Sequence, residues 1–254
     1  MHRWGIRIFT IPLEFFTMLP QSIEEAIEQA KVATQAAIAA GHPKITVEIV
    51  YPELRSMGVA QQFLPFLAEE YGATLRVLFT DTGAAALARR DWSEAGFQIS
   101  DVGSSRSPVI DKIQESDRIY VAVEPSAVEV EQIEKLCGVA ADRPVILLLP
   151  KLEDAAIVGI GYAARQLRDR FIKTLTTAYY IKPLSDEVAI YRCFPGQWQV
   201  WRMEGEEYQV IAELPYKPLG DELDRILMGD EESAPATAAG IFSGLKRFMK
   251  TLGG

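Results

Sequence analysis

The sequence predicts an α/β protein: a mainly parallel sheet with helices on both faces, in a Rossmann-like three-layer arrangement, extended by a C-terminal antiparallel meander. The first observation is the apolar run 145–149, which Pro150 ends, because such a run is typical of a strand buried on both faces. The second is the alternation of similar runs with amphipathic helical segments. The third is a change of pattern near residue 176, where β-rich runs follow one another across turns too short to hold helices.

The elements of the parallel part can be assigned in chain order. Ser22 and Glu25 form a capping box that opens the first predicted helix, and Gly41 and Pro43 end it. Strands are then predicted at 45–50, 74–79, 97–102, 119–123 and 145–149. Between and after them, helices are predicted at 59–71, 83–90, 127–137 and 159–173, with a short helix opened by Ser107 and Pro108. A second capping box, Ser126 with Glu129, is expected to open the helix at 127–137.

The C-terminal part of the domain is predicted to be antiparallel. Strands at 176–182, 188–194, 198–203 and 208–214 are separated by short turns, which hairpins require and crossover helices cannot use. A helix at 221–228 closes the domain. The aromatic residues of this part are predicted to pack in the core and edge of the meander rather than to stack on a ligand: Tyr179, Tyr180, Tyr191, Trp198 and Trp201.

Four regions follow from these patterns. Residues 1–17 are predicted to be an unstructured leader, 18–228 a single α/β domain with the meander at 176–214, and 229–239 a linker of acidic and small residues. Residues 240–254 are predicted to form a basic amphipathic helix that binds a membrane or partner. Its residues are Ile241, Phe242, Leu245, Lys246, Arg247, Phe248, Met249, Lys250 and Leu252. Folding back onto the domain is the alternative.

Composition excludes several classes of protein. Asp and Glu exceed Lys and Arg by 35 to 26, giving a net charge of −9, which disfavours a nucleic-acid partner. Cys137 and Cys193 have no metal-ligand spacing and are typical of buried thiols in a reducing compartment, so no metal is expected. No apolar run approaches the roughly 20 residues that span a bilayer. The sequence therefore predicts a cytoplasmic protein.

The strand ends offer candidate ligand groups. Asp81, Thr82 and Gly83 follow a predicted parallel strand, as do Glu124 and Lys151, and open α/β sheets bind ligands at this edge. These five residues could bind a phosphorylated small molecule. The alternative for Asp81 and Thr82, which we favour, is the N-cap of a helix. The Asp-Thr-Gly tripeptide also occurs in aspartic proteases, but those enzymes need two such loops in an all-β setting.

Other motifs carry less chemistry. Arg165, Arg168 and Arg170 could contact an anion or an acidic partner, although a solvated helix face with ion pairs is the simpler interpretation. The Gly159 and Gly161 pair lies too far from its strand for a dinucleotide fingerprint. With two histidines in the chain and no phosphate loop, neither a serine-protease triad nor a nucleotide motif can be assembled. The residues leave enzymatic activity open and favour a non-enzymatic role without a cofactor.

Several stretches resemble a domain-of-unknown-function family of cyanobacteria and chloroplasts, which includes the plant Low PSII Accumulation assembly factors. The stretches are LPQSIEEAIEQAKVATQAA, FTDTGAAALARRDW, PVILLLPKLED followed by GIGYAARQLRDRF, and CFPGQW, within residues 19–227. The chain departs from the family at residues 148–149, where relatives often carry a polar residue. The resemblance implies a non-enzymatic factor in photosystem biogenesis, peripheral to the thylakoid membrane. Its partner would be a photosystem subunit or an assembly protein.

Overall fold

A computed structural model describes residues 18–152 and 162–228 of the chain. Its contacts divide these residues into two compact units. The parallel unit comprises 41–48, 54–152 and 162–177, and the meander unit comprises 18–40, 49–53 and 178–228. Each unit has a hydrophobic cluster of its own.

Five parallel strands form the sheet of the parallel unit. They are β1 (Lys44–Ile49), β2 (Leu75–Phe79), β3 (Gln98–Asp101), β4 (Ile119–Val123) and β5 (Val145–Leu148). They lie in the order β3-β2-β4-β5-β1, and every neighbouring pair is parallel. All residues of β2, β4 and β5 are buried, which explains why these strands are apolar runs, interrupted in β2 by Arg76 alone.

Helices of the parallel unit connect these strands. They are α2 (Ser56–Tyr71), α3 (Thr82–Asp91), α4 (Val130–Ala140) and α5 (Tyr162–Arg170). Helix α4 buries Ile133 and Leu136 in one cluster with Tyr120 and Leu147 of the sheet. The chain leaves β2 toward β3 and leaves β4 toward β5, in opposite directions across the sheet. The carboxyl ends of β2 and β4 therefore form a topological switch point, the place where open α/β sheets bind ligands.

The meander unit combines one long helix with antiparallel strands. Helix α1 (Ile23–Ala39) precedes β6 (Thr176–Pro183), β7 (Val188–Cys193), β8 (Trp198–Glu204) and β9 (Glu207–Leu214), and α6 (Asp221–Met228) follows them. Each of these strands pairs antiparallel with the next. The predicted class is confirmed: the chain is an α/β protein with a mixed sheet, parallel in its first five strands and antiparallel in its last four.

Helices α2 and α4 each begin three residues away from the predicted start. Helix α4 begins at Val130, because the Glu129 carboxylate accepts from the Ser126 N–H at 2.9 Å and from its hydroxyl at 2.7 Å, which holds these residues in a turn. The Ser126 Oγ accepts from Val128 N–H at 3.2 Å. Helix α2 begins at Ser56, three residues before its first buried position, Val59. The predicted short helix after Pro108 is a 3₁₀ turn, Val109–Lys112.

The terminal segments lie outside the described residues. These are the predicted leader at 1–17, the linker at 229–239 and the amphipathic helix at 240–254. Their assignment, like that of a single domain at 18–228, stays a prediction. No helix among the described residues is long and apolar enough to cross a bilayer.

Candidate functional site

The structure brings Glu124 and Lys151 together at the carboxyl edge of the parallel strands. Glu124 follows β4 and Lys151 follows β5, and the Lys151 Nζ lies 2.5 Å from the Glu124 Oε1. The backbone supports this contact, because the Lys151 N–H donates to the Pro125 carbonyl at 2.8 Å. The carboxylate is 32% exposed and the lysine 61% exposed. The pair is thus open to solvent.

A third residue, Ser56, completes this group. Its hydroxyl, at the start of α2, donates to the Glu124 Oε2 at 2.6 Å. Burial raises the pKa of Glu124, but the hydrogen bonds from Lys151 and Ser56 outweigh it and leave the pKa below its ordinary value. Glu124 is therefore an ionised acceptor, bound on both of its oxygens. We call Ser56, Glu124 and Lys151 the edge triad.

The backbone turns sharply at the strand ends that carry Glu124 and Lys151. Glu124 has a φ of 56° and Leu149 a φ of 53°, in the left-handed region that residues with a Cβ rarely adopt. The Glu124 N–H still donates to the Leu148 carbonyl at 2.7 Å. The chain therefore stays bonded to the neighbouring strand while it turns away from the sheet.

Asp81 caps helix α3. Its Oδ1 accepts from the Ala84 N–H at 2.8 Å, and its carbonyl accepts from the Ala85 N–H at 3.1 Å. A Cβ added at Gly83 would lie 3.0 Å from the same Oδ1, so the small residue leaves room for the cap. Thr82 is the first residue of the helix. The favoured interpretation of Asp81 as an N-cap is thus seen directly, and its role in ligand binding stays a prediction.

Arg168 and Arg170 are the arginines of α5 whose side chains are described, and they differ in their contacts. Arg170 donates from Nε and Nη2 to the two oxygens of Glu134, each at 2.9 Å, and so ties α5 to α4. Arg168 is exposed. The side chain of Arg165 lies outside the described part of the structure, so its predicted anion contact stays untested. Arg170 acts as a bridge between helices.

The chemistry available in the described residues is limited. Burial raises the pKa of both the Cys137 and the Cys193 thiols to about 12, so neither is a nucleophile at neutral pH. Within residues 18–152 and 162–228, no three His, Cys, Asp or Glu side chains lie together as a metal site. The edge triad can accept and donate hydrogen bonds. Its Ser56 hydroxyl donates to the Glu124 carboxylate, which also pairs with Lys151.

The meander unit contains a separate open cleft of about 270 Å³. Its lining includes Tyr51, Glu53, Leu184 and Asp186, and no lysine or arginine. Two carboxyl groups without a cation disfavour an anionic ligand. The predicted phosphate chemistry therefore has no support at this cleft.

Sequence reasoning found Glu124 and Lys151 but missed Ser56. The reason is that the helix was predicted to begin at its first apolar position, whereas Ser56 lies one turn earlier and its partner is 68 residues away. A serine near a helix start was the available signal, since such residues commonly bond nearby acceptors. The nine predicted membrane-helix or partner-helix residues, between 241 and 252, lie outside the described residues.

One comparison with known proteins gives a match. A family model described as "Domain of unknown function (DUF1995)" matches residues 20–225. The match includes α1, the edge triad and the nine strands seen in the described residues. No curated protein and no solved structure matches the chain.

Proposed function

This chain belongs to the DUF1995 family, and from that premise we propose that it is a non-enzymatic auxiliary factor in photosystem II biogenesis. It would act as a binding protein at the thylakoid surface of a cyanobacterium or chloroplast. The family stretches that resemble the plant Low PSII Accumulation factors support the choice of process. The partner would be a photosystem subunit or another assembly protein.

The observation that supports a binding role is that the carboxylates at the carboxyl ends of the parallel strands are already engaged. Glu124 is bound on both oxygens by Ser56 and Lys151, and Asp81 is engaged by the backbone of α3. General acid–base catalysis needs a group free to exchange its proton with a substrate at the working pH. Here the paired carboxylate, with its lowered pKa, serves to fix the three strand and helix ends.

A contact with the membrane would come from the C-terminal segment. Residues 240–254 contain Lys246, Arg247 and Lys250 and no acidic residue, and juxtamembrane basic residues are attracted to anionic lipid. The rest of the chain would then be held near the membrane in which photosystems assemble. Attachment and assembly are separate parts of the proposal and can be tested separately.

The test of the assembly role is genetic. A cyanobacterial strain lacking its own copy of the gene should accumulate less photosystem II per chlorophyll, with photosystem I unchanged, and this chain should restore the level. Because the role is non-enzymatic, the Lys151→Gln variant should also restore it. Normal photosystem II in the deletion strain, or failure of a folded and expressed Lys151→Gln variant, would overturn the proposal.

A second candidate function is a small-molecule enzyme or sensor that binds a phosphorylated ligand at the carboxyl edge. The observation that favours it is Lys151, 61% exposed beside a topological switch point. The negative charge at this edge opposes it, since the carboxylates of Asp81 and Glu124 would repel a phosphate.

A thermal-shift screen with nucleotides and sugar phosphates separates the two functions. A ligand at 100 times its Kd stabilises the fold by roughly 2.7 kcal/mol. A specific ligand should lose this effect in Lys151→Gln and keep it in Arg170→Gln, which removes a guanidinium that bridges two helices. Such a result would favour the second function.

A further inference from the structure

Arg192 lies in a row of large side chains across the meander. The strand register places it opposite Tyr180 of β6 and opposite Trp198 of β8, so the three side chains share one face of the sheet. Arg192 and Trp198 form the last pair before the hairpin turn at 194–197. This turn is inside the region that the family model matches.

The aromatic rings hold the guanidinium in place. The Arg192 Cζ lies 5.4 Å from the centroid of the Trp198 ring, and the Tyr180 and Trp198 rings lie 5.1 Å apart. Both rings are almost fully buried, at 1% and 4% exposure. The buried rings therefore pack against the guanidinium and are not available for a ligand to stack on.

The charge of Arg192 has no acidic partner among the described residues. None of the ion pairs found there includes it, and its Nε is buried without a hydrogen-bond partner. Burial lowers the pKa of its guanidinium. The side chain is only partly buried, and its two terminal nitrogens are not among the buried unpartnered atoms.

A second cation lies against the same rings. The Lys217 Nζ is 4.0 Å from the Tyr180 ring centroid and 5.7 Å from that of Trp198. Tyr216 and Leu219, close to Lys217 in the sequence, are exposed, at 53% and 61%, and the Tyr216 hydroxyl donates to the Glu222 Oε1 at 2.7 Å. Two cations thus lie within 6 Å of one indole centroid, in a protein whose net charge is −9.

We propose that Arg192, Lys217, Tyr216 and Leu219, here called the Arg192 surface, bind an acidic segment of a partner protein. A carboxylate fits the planar guanidinium fork, and a charge-assisted hydrogen bond would compensate a cation that is partly desolvated and unpaired. The exposed apolar residues favour a peptide over a free anion, because they offer area for its apolar side chains. The inference concerns a different surface from the carboxyl edge and does not depend on the photosystem role.

The test is direct binding of a labelled short peptide with alternating glutamate and leucine, measured by fluorescence anisotropy on the full chain. Arg192→Gln should weaken binding by about tenfold, since hydrogen bonds to charged groups contribute about 1.5–3 kcal/mol. Arg192→Lys should retain part of the affinity, because it keeps the charge and loses the fork. The matched control is Arg202→Gln on β8, which removes an arginine that contacts Glu204 and the Leu227 carbonyl.

The following outcomes decide between the proposal and its alternatives. Selective loss in Arg192→Gln, with Arg202→Gln at wild-type affinity and no binding of the glutamine–leucine peptide, supports the proposal. Equal affinity of Arg192→Gln and wild type overturns it. Displacement of the peptide by inorganic phosphate or by anionic vesicles at lower concentration than by unlabelled peptide also overturns it, in favour of a phosphate or lipid site. If Arg192→Gln does not fold, the peptide affinity of a folded Arg192→Lys variant decides instead. A partial loss of affinity supports the proposal. Wild-type affinity, or complete loss of binding, overturns it.

Discussion

A single arginine in the middle of an apolar strand makes the parallel unit depend on one distant partner. Arg76 of β2 is 4% exposed, and its Nε and Nη2 donate to the two Asp117 oxygens at 2.6 and 3.1 Å. Asp117 is fully buried and also accepts from the Gln114 N–H at 2.8 Å. With both oxygens bonded, the desolvation of the carboxylate is largely compensated.

Removing one charge of this pair should destabilise the protein strongly. Asp117→Asn leaves the Arg76 guanidinium buried without a counter-ion, and breaking a buried pair in this way costs about 3–5 kcal/mol. Chemical denaturation monitored by circular dichroism measures the change in free energy of unfolding.

An exposed ion pair gives the matched control. Lys173 and Asp169 lie 2.7 Å apart with both side chains about two-thirds exposed, so Asp169→Asn should leave stability unchanged within error. Equal behaviour of Asp117→Asn and Asp169→Asn would contradict the assignment of Arg76 as a buried, charged residue.

At the scale of elements, helix α3 depends on the hydrogen bond at its N-terminus more than on packing. It buries only Ala85 and Ala88, two small side chains that contribute little apolar area. Among the N–H groups of its first turn, that of Ala84 has the Asp81 side chain as its acceptor. The cap is therefore expected to matter for α3, whereas α4 has no side-chain cap and buries six residues.

Asp81→Ala should lower the free energy of unfolding by about 1 kcal/mol, the usual effect of losing an N-cap acceptor. Asp81→Asn should remain near wild type, because its amide oxygen accepts the same hydrogen bond from the Ala84 N–H. Thermal and urea unfolding of the two variants test this. Equal destabilisation by both substitutions would instead show that the negative charge of Asp81 matters.

Local pattern was sufficient to predict these strands, since β4 and β5 are apolar along their length and β2 is apolar except for Arg76. It was also sufficient to place Glu124 and Lys151 at one edge, because parallel strand ends meet there. It was insufficient where a distant partner decides the structure. Asp117 lies 41 residues from Arg76, and no local periodicity encodes such a pair. The start of α4 was missed because Ser126 and Glu129 bond each other in a turn instead of capping the helix.

At the scale of the whole molecule, charge is distributed unevenly along the sequence. Residues 240–254 contain three basic residues and no acid, so all 35 acidic residues precede them. Six apolar residues of this segment recur at spacings of three and four: Ile241, Phe242, Leu245, Phe248, Met249 and Leu252. This pattern is typical of a helix that lies in an anionic lipid surface. The acidic remainder of the chain would be repelled by the same surface.

The intact protein should therefore bind anionic-lipid vesicles through the tail alone, and salt should weaken this binding. Each basic residue near such a surface contributes about 1 kcal/mol, so Lys246→Glu should weaken binding by roughly tenfold or more. Phe242→Asp combined with Phe248→Asp should abolish it, because the apolar face can no longer enter the lipid. Vesicle co-sedimentation of the intact chain and of a form truncated after Gly229 measures the effect, with zwitterionic vesicles as the control. Equal sedimentation of the two forms would exclude the tail as an anchor and leave a groove on a partner, or the domain itself, as its binding site.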